Sequence, residues 1–153
     1  MEQYKNIKIG TIEDYEAALA LSLEFLKESP YNGMPVDIDK YGGMLHETLR
    51  DINNGVVIFS LYGGVPCGLL VGKVSEVYFN KQKIAFELMW YVREAFRKFR
   101  ESLRMFEVYE YWAKNIAKVE YVQMNCLGDS NGDTLTKFYI RKGFKMVEKG
   151  FLK

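Results

Sequence analysis

The chain has 153 residues, of which 48% are hydrophobic and 27% are charged. A chain of this length buries roughly 70% of its unfolded surface, which is enough for a core that needs no disulfide or metal. Its 21 Lys and Arg against 20 Asp and Glu give a formal net charge of +1, which argues against a nucleic-acid backbone as the main partner. We therefore expect a single domain over residues 1–153 in which any basic site is local.

The cysteines and the N-terminus indicate a reducing compartment. Cys67 and Cys126 lie far apart and lack the spacing of a zinc site or a disulfide framework, so we expect two small buried side chains and no bound metal. The N-terminus has no apolar signal region, and no stretch approaches the ~20 apolar residues of a membrane span. We expect a cytoplasmic protein.

The N-terminal third predicts one strand and two helices. Residues 6–10 alternate as a short strand, and Thr11–Asp14 has the form of a capping box that begins the first helix. Residues 37–53 predict a second, weaker helix that the pair Gly42-Gly43 interrupts. The predicted buried face of the first helix consists of Tyr15, Leu19, Leu23 and Leu26.

The centre of the chain predicts a β-hairpin and a buried strand. Residues 56–62 and 67–74 flank a turn at 63–66 that contains two glycines. Residues 84–92 are almost wholly apolar, which is typical of a central strand covered on both faces. Glu87 is the one charge in that strand, and it calls for an explanation.

The C-terminal half predicts a strand-helix-strand unit. A helix over 96–115 is followed by an apolar strand over 119–126, and such crossovers pair their two strands in parallel. A short helix over 134–142 that ends at Gly143 and a last strand over 144–152 complete the order β-α-α-β-β-β-α-β-α-β. The predicted face of the long helix consists of Phe99, Leu103, Phe106, Tyr109 and Ala113. These elements predict an α/β (α+β) fold with a mixed, mostly antiparallel sheet, one parallel strand pair and about four helices.

Positive charge concentrates at the start of the long helix. Residues 93–104 contain five Lys or Arg and two Glu, a local net charge of +3. A helix N-terminus presents unpaired backbone N–H groups and the positive end of the helix dipole, so the turn before this helix is suited to a phosphate. A solvated helix face is the other interpretation of such a run.

The order of elements and this segment together resemble the GNAT superfamily of acetyl-CoA-dependent N-acetyltransferases, over most of the chain. The family signature Gln/Arg-x-x-Gly-x-Gly/Ala matches residues 97–102, with Arg97 first and with Arg100 and Ser102 in place of the glycines. A Cβ obstructs the approach of backbone to a phosphate, so the Arg100 side chain must point outward. The turn is a glycine-poor variant that resembles those of phage and bacterial members. The resemblance implies that the coenzyme A pyrophosphate lies on Arg97, Lys98, Phe99, Arg100, Glu101, Ser102 and Leu103.

A second match to the family lies near the C-terminus. Residues 136–144 look like the family segment that carries a catalytic tyrosine. The resemblance implies that Tyr139 protonates the departing coenzyme A sulfur, a transfer for which a phenol pKa of about 10 is close to that of a thiol. Core packing is the common role of such aromatic residues, and we expect it for Phe138 and Phe144.

Attack of an amine on a thioester also needs a base and a donor to the developing oxyanion. The resemblance implies that Glu87 is the base, although an ion pair at the sheet edge would explain this carboxylate equally well. It also implies that the backbone of Trp90, Tyr91 and Val92 contacts the pantetheine arm, with the Val92 amide as oxyanion donor. Further predicted contacts are Tyr31 with the acceptor and Asn125 and Asn131 with the coenzyme.

The resemblance therefore implies an enzyme that transfers an acetyl group from acetyl-CoA to a primary amine by direct attack. An aminoglycoside, a polyamine, an amino acid, a protein N-terminus and a lysine all fit as acceptors, transfer of a longer acyl group fits as well, and a homodimer is possible. We expect no nucleic-acid or membrane partner. The alternative function is a catalytically silent module of the same fold that binds a protein, with Arg100 blocking the phosphate turn.

Overall fold

The computed structural model of the chain describes residues 2–128 and 132–153, and within these ranges not the side chain of Phe99. The chain forms two compact units, Met1–Gln123 and Met124–Lys153. The first unit contains the whole five-stranded sheet and three α-helices, and the second contains one α-helix. Among the described residues, no helix is long and apolar enough to cross a membrane, and no group of three or more His, Cys, Asp or Glu could hold a metal ion.

The sheet is mixed, as predicted. Its strands lie in the order β1-β2-β3-β4-β5, with antiparallel pairs up to β4 and a parallel pair between β4 and β5. The strands are β1 Ile7–Ile9, β2 Gly55–Tyr62, β3 Val65–Glu76, β4 Lys83–Val92 and β5 Tyr121–Gln123. The helices are α1 Tyr15–Glu28, α2 Ile38–Arg50, α3 Phe99–Tyr111 and α4 Gly132–Arg141.

α1 begins as predicted but buries a different face. The Thr11 N–H donates to the Asp14 carboxylate at 2.8 Å, and this capping box opens a short 3₁₀ turn that leads into α1. The buried residues are Ala18, Leu21, Ser22 and Phe25, so the predicted face was wrong. α1 carries alanine or leucine around most of its circumference, and apolar spacing alone therefore did not decide which stripe packs.

α2 runs without a break through Gly42 and Gly43, so the predicted interruption was wrong. A Cβ on the buried Gly42 would lie 2.2 Å from the Tyr15 hydroxyl. The absence of a side chain at this position lets α2 pack close to α1, which outweighs the low helix propensity of glycine.

The hairpin of β2 and β3 turns on two residues. Gly63 and Gly64 have φ values of +56° and +81°, in the left-handed region that two-residue hairpin turns require. Val65 and Pro66, predicted as part of the turn, already belong to β3.

Both faces of the sheet are covered. Successive residues of β2 from Gly55 to Ser60 are all buried, which requires packing on each face. α2 contacts β2, α1 contacts β3 and β4, and α3 contacts β2 and β3. The central strands are thus sandwiched between α1 and α2 on one face and α3 on the other. Cys67 is buried in this core as predicted, whereas Cys126 of the second unit is only half-buried.

The predicted helix over 96–115 consists of three pieces. A 3₁₀ turn, Glu94–Phe96, precedes α3, and a π-helical turn, Trp112–Ile116, follows it. The predicted face is confirmed at Phe106, Tyr109 and Ala113, which are buried; Leu103 is half-buried and the Phe99 side chain lies outside the described residues. Met105 and Trp112, which the predicted face omitted, are also buried.

The C-terminal part has less strand than predicted. β5 is limited to Tyr121–Gln123, and α4 ends before Gly143, which has a φ of +91°. Among the described residues after α4 there is no strand, so the predicted strand over 144–152 was wrong. A strand is stable only when a neighbour pairs its backbone groups, and none pairs with this segment, in which Phe151 is 95% exposed.

Candidate active site

β4 has two halves with different neighbours. Its first half, at Ile84–Phe86, pairs in parallel with β5. From Glu87 to Val92 no strand of the described chain lies beside β4 on its β5 side. β5 therefore ends opposite Phe86. Beyond this residue, the β5 side of β4 has no strand partner in the described chain, and we call this side the open edge of β4.

A bulge in β4 decides which way its side chains point. Val71 of β3 pairs with Met89 and Gly72 pairs with Glu87, so Leu88 is an extra residue in β4. Strict alternation would place Glu87, Met89 and Tyr91 on one face of the sheet. The bulge moves Glu87 to the opposite face, which α3 covers.

Glu87 lies in a buried aromatic environment at the point where β5 leaves β4. Its exposed fraction is 6%, and its partner in the register is Gly72, where a Cβ would lie 2.4 Å from Cε2 of Tyr109. The Tyr109 hydroxyl donates to the Gln123 backbone oxygen at 3.3 Å. Burial and, after it, the negative charge of Glu87 raise the pKa of Tyr109 well above its ordinary value.

Tyr91, on the other face, lies in a charged environment against α1. Its ring packs edge-on against Phe25 at 6.4 Å between centroids, and its hydroxyl donates to Glu28. Burial and the Glu28 carboxylate raise the pKa of Tyr91 above its ordinary range. The hydrogen bonds from Tyr91 and Arg97 lower the pKa of Glu28 although its partial burial opposes this shift.

Two arginines that flank the 3₁₀ turn after β4 pair with glutamates of α1. Arg93 Nη2 lies 3.0 Å from Glu24, and Arg97 Nη2 lies 3.0 Å from Glu28. Neither glutamate was among the predicted site residues. The sequence contains one indication of these ion pairs. Glu24 and Glu28 are four residues apart, as are Arg93 and Arg97, so the two glutamates can face the two arginines at once.

These pairs reduce the free positive charge at the helix start. Arg104 pairs with Glu107 at 2.9 Å, so three of the five basic residues at 93–104 have acidic partners. Within the described ranges, Lys98 and Arg100 are the two without one. The Arg100 side chain is exposed.

The residue before α3 does not cap the helix. This residue is Lys98, and its side chain makes no capping hydrogen bond with the first turn. The Ser102 N–H donates to the Lys98 carbonyl at 3.1 Å. The N–H groups that precede Ser102 are the ones a helix start offers to an anion.

The direction of the Val92 amide follows from its neighbour. The Arg93 N–H donates to the Cys67 carbonyl of β3 at 3.0 Å. Because successive N–H groups of an extended chain point to opposite sides, the Val92 N–H points away from β3, toward the open edge. Trp90 of the same strand end stacks on Phe106 of α3, with 6.2 Å between ring centroids.

Tyr139 is a buried residue of the second unit with a polar hydroxyl group. Its side chain is 7% exposed, and its hydroxyl donates to the Asn125 backbone oxygen at 3.1 Å. Its ring contacts those of Phe138 and Phe144, each at 5.7 Å between centroids. Phe138 is buried and Phe144 half-buried, while Asn131 lies outside the described residues.

Tyr31 lies in the loop after α1 and is 45% exposed. The Ser29 hydroxyl donates to the Leu26 carbonyl at 2.8 Å and accepts from the Tyr31 N–H at 3.1 Å. These bonds end α1 and fix the backbone that presents Tyr31.

The first unit thus brings together the end of β4, the turn before α3 and the C-terminal end of α1. It places the predicted residues Glu87, Trp90, Tyr91, Val92 and those of 97–103 on these elements or beside them. The second unit holds Tyr139 and Asn125.

No protein-family model matches the sequence, and no curated protein matches it significantly. The structure is similar to that of aminoglycoside N-acetyltransferase AAC(6')-Iy in complex with the bisubstrate analogue CoA-S-monomethyl-acetylneamine, with a TM-score of 0.74 and 15% identity over 96% of this chain and 95% of that chain. For an aminoglycoside acetyltransferase from an uncultured soil metagenomic sample the TM-score is 0.72, with 11% identity over 96% and 95% of the chains.

A ribosomal-protein-alanine N-acetyltransferase from Brucella melitensis biovar Abortus 2308 is also similar, with a TM-score of 0.67 and 12% identity over 96% of this chain and 97% of that chain. All three are acetyltransferases, and each match extends over nearly the whole of both chains. The chain therefore has the same fold as these three acetyltransferases.

Proposed function

We propose that the protein is an N-acetyltransferase that transfers the acetyl group of acetyl-CoA to a primary amine. The observation that carries the proposal is the open backbone edge of β4 beyond Phe86, next to the uncapped N-terminus of α3. The similar structure of AAC(6')-Iy in complex with a coenzyme A bisubstrate analogue supports it. Bound acetyl-CoA supplies the acetyl group as a thioester.

The turn before α3 has the chemistry that a pyrophosphate needs. Uncapped N–H groups at the helix start would donate to the phosphate oxygens, and Lys98 and Arg100 would balance their charge. Exposure of the Arg100 side chain supports access to the backbone despite the missing glycines. We assign residues 97–103 to this subsite, and Asn125 and Asn131 to further coenzyme contacts.

The backbone of Trp90, Tyr91 and Val92 would accompany the pantetheine arm along the open edge of β4. Amides of such an arm can pair with a free strand edge as a neighbouring strand would. The Val92 N–H points to that side and would stabilise the oxyanion that develops on the thioester carbonyl.

The remaining roles concern protons. The Glu87 carboxylate would take the proton that the attacking amine loses as its nitrogen bonds to the carbonyl carbon. The Tyr139 hydroxyl would donate its proton to the sulfur as the carbon-sulfur bond breaks. Tyr31 would contact the acceptor, whose chemical class is a primary amine. The similar enzymes are described as acting on aminoglycosides and on a ribosomal-protein alanine.

A thermal-shift titration tests the proposal. A ligand that binds only the native state stabilises it by about 2.7 kcal/mol at a concentration of 100 Kd, so acetyl-CoA raises Tm. We expect Lys98→Glu to reduce the shift, and Lys81→Glu, an exposed lysine of the β3–β4 loop, to leave it unchanged. The absence of a shift at millimolar acetyl-CoA would contradict the proposal and favour the silent protein-binding module.

Tyr139→Phe tests the proposed general acid. Loss of a general acid lowers turnover by roughly 10² to 10⁴-fold. We expect a fall of this size in coenzyme A release with an accepted amine, and an unchanged Kd for acetyl-CoA. Tyr111→Phe, which removes an exposed hydroxyl from α3, is the control. Equal turnover in Tyr139→Phe and the parent protein would remove Tyr139 from the mechanism.

A further inference from the structure

Glu28, the last residue of α1, connects two parts of the proposed coenzyme site. One carboxylate oxygen accepts from the Tyr91 hydroxyl of β4, and the other accepts from Arg97 Nη2 at 3.0 Å. Arg97 Nε in turn donates to the Val92 carbonyl at 2.6 Å, and its guanidinium lies over the Tyr91 ring. The four residues Glu28, Tyr91, Val92 and Arg97 form a closed set of contacts, which we call the Glu28 cluster.

The backbone that this cluster holds has little regular structure of its own. Arg97 and Lys98 are both extended, between a 3₁₀ turn of three residues and the first turn of α3. No strand ladder pairs Arg97 or Lys98, so side-chain contacts contribute to the position of the N–H groups at the start of α3.

Arg97 is engaged with protein atoms on two sides. Its Nε and Nη2 donate to Val92 and Glu28, and its positive charge lies against the Glu28 carboxylate. A guanidinium that already pairs with a carboxylate contributes less binding free energy to a phosphate than a guanidinium without an acidic partner, such as that of Arg100. The geometry therefore favours a structural contribution of Arg97 to this site.

We propose that Glu28 is a positioning residue, which acts through Arg97 and Tyr91 to hold the β4–α3 turn in the conformation that binds the coenzyme pyrophosphate. This inference rests on the proposed function. It assigns Arg97 to bracing the turn and leaves the phosphate to the backbone N–H groups, Lys98 and Arg100.

Hydrogen exchange of the free protein tests the bracing without any ligand. In Glu28→Gln we expect the amides of residues 94–102 to exchange up to about fivefold faster, the factor that corresponds to about 1 kcal/mol of lost local stability. The amides of β2 should not change. Unchanged exchange at 94–102 would overturn the proposal, since the turn would then be held without Glu28.

Glu24→Gln is the matched control. Glu24 lies one helical turn earlier on α1 and pairs with Arg93 ahead of the 3₁₀ turn, so this variant makes the same change in net charge. It leaves the contacts of Glu28 with Tyr91 and Arg97 in place. We expect exchange at residues 97–102 and the Kd for coenzyme A to stay within about twofold of the parent values, well below the factor for 1 kcal/mol.

A double-mutant cycle for coenzyme A binding separates bracing by Arg97 from direct phosphate contact. If Glu28 acts through Arg97, Glu28→Gln and Arg97→Gln each weaken binding by about fivefold, and the double variant is little weaker than either one. Rescue by Glu28→Asp, which keeps the charge, would support the ion pair. If Arg97→Gln weakens binding strongly while Glu28→Gln has no effect, Arg97 is a phosphate ligand and the proposal is wrong.

The exchange and binding experiments fail in different ways. If the parent protein does not bind coenzyme A, the proposed function fails, and the exchange rates alone decide whether Glu28 braces the turn. If coenzyme A binds but Glu28→Gln alters neither exchange nor affinity, the function stands and the bracing role fails.

Discussion

Glu87 and Tyr91 lie four residues apart in the same strand, yet their environments have little in common. Glu87 faces α3 and lies beside the buried Tyr109. Tyr91 faces α1 and donates to the ionised Glu28, which also pairs with Arg97. On one face of β4, the Glu87 carboxylate lies beside aromatic side chains. On the other face, the Tyr91 phenol lies beside charged side chains.

This difference shows what a single extra residue does to a strand. Without the bulge at Leu88, Glu87 and Tyr91 would share a face, and the carboxylate would lie on the side of Glu28. Two carboxylates on one face would repel each other. The bulge places them on opposite faces, which agrees with the proposed roles of Glu87 as the base and of Glu28 as a positioning residue.

The largest expected effect distinguishes the two residues in catalysis. Because Glu87 is the proposed base, Glu87→Gln should lower turnover by about 100-fold or more. Tyr91→Phe should lower it far less, because its hydroxyl contacts Glu28 and no reacting atom in the proposed mechanism. The measurement is the rate of coenzyme A release at saturating amine and acetyl-CoA.

The parent protein and both variants must first show cooperative thermal unfolding. A fall in turnover can then be attributed to loss of the carboxylate and not to unfolding of the variant. Equal turnover in the parent and Glu87→Gln would contradict the assignment of the base. A greater loss in Tyr91→Phe would reverse the comparison between the two faces of β4.

A smaller effect concerns the packing of the Glu87 face. Gly72→Ala should lower the free energy of unfolding by about 1–3 kcal/mol, because its Cβ would lie 2.4 Å from Cε2 of the fully buried Tyr109. Urea unfolding measures the change. Gly43→Ala is the matched control, because a Cβ there meets nothing within 4 Å and should stabilise α2 by roughly 0.5–1 kcal/mol. An unchanged free energy of unfolding in Gly72→Ala would show that this face is loosely packed.

The smallest effect concerns the Tyr91 face and its dependence on pH. The pKa of Glu28 is lowered in the folded protein, chiefly by the Tyr91 hydrogen bond, so the ionised carboxylate stabilises the fold above the unfolded pKa of about 4.3. As pH falls through the lower folded pKa, this contribution is lost. Since Glu28 is 48% exposed, we expect the effect to stay below about 1 kcal/mol.

The check is urea unfolding of the parent and of Glu28→Gln between pH 3 and pH 7, a range of about 4 units around the carboxyl pKa. The parent should be the more stable at neutral pH, and the difference should shrink as pH falls below about 4. Glu47→Gln, at an exposed site on α2, controls for the loss of one charge. A stability difference that does not depend on pH would show that ionisation of Glu28 is not involved.

Local patterns predicted much of the scaffold. The glycine pair at residues 63 and 64, the apolar run of β4 and the strand-helix-strand order each depend on neighbours in the chain. The mixed sheet and its parallel strand pair followed from these patterns. The basic segment at the start of α3 is visible in the sequence itself. Arg100 is exposed, in agreement with its expected outward orientation, and its contact with a phosphate stays a prediction.

The features that differ from the predictions depend on tertiary contacts. The bulge at Leu88 follows from how β3 and β4 pair, and the break-free α2 depends on the space that Gly42 leaves for Tyr15. The pairing of Glu28 with Arg97 joins residues 69 apart in the chain, so the matching four-residue spacings do not by themselves show which residues pair. These contacts determine which side chains reach the site, and for that reason the site was less predictable than the fold.

A crystal structure of the protein with coenzyme A would show where the coenzyme lies. We expect pyrophosphate density on the backbone N–H groups at the start of α3, beside Lys98 and Arg100. We also expect a pantetheine arm along β4 between Glu87 and Val92, and a guanidinium of Arg97 that keeps its contacts with Glu28 and Val92. Coenzyme A bound elsewhere, or a β4 edge covered by protein with no ligand at saturating concentration, would contradict this expectation.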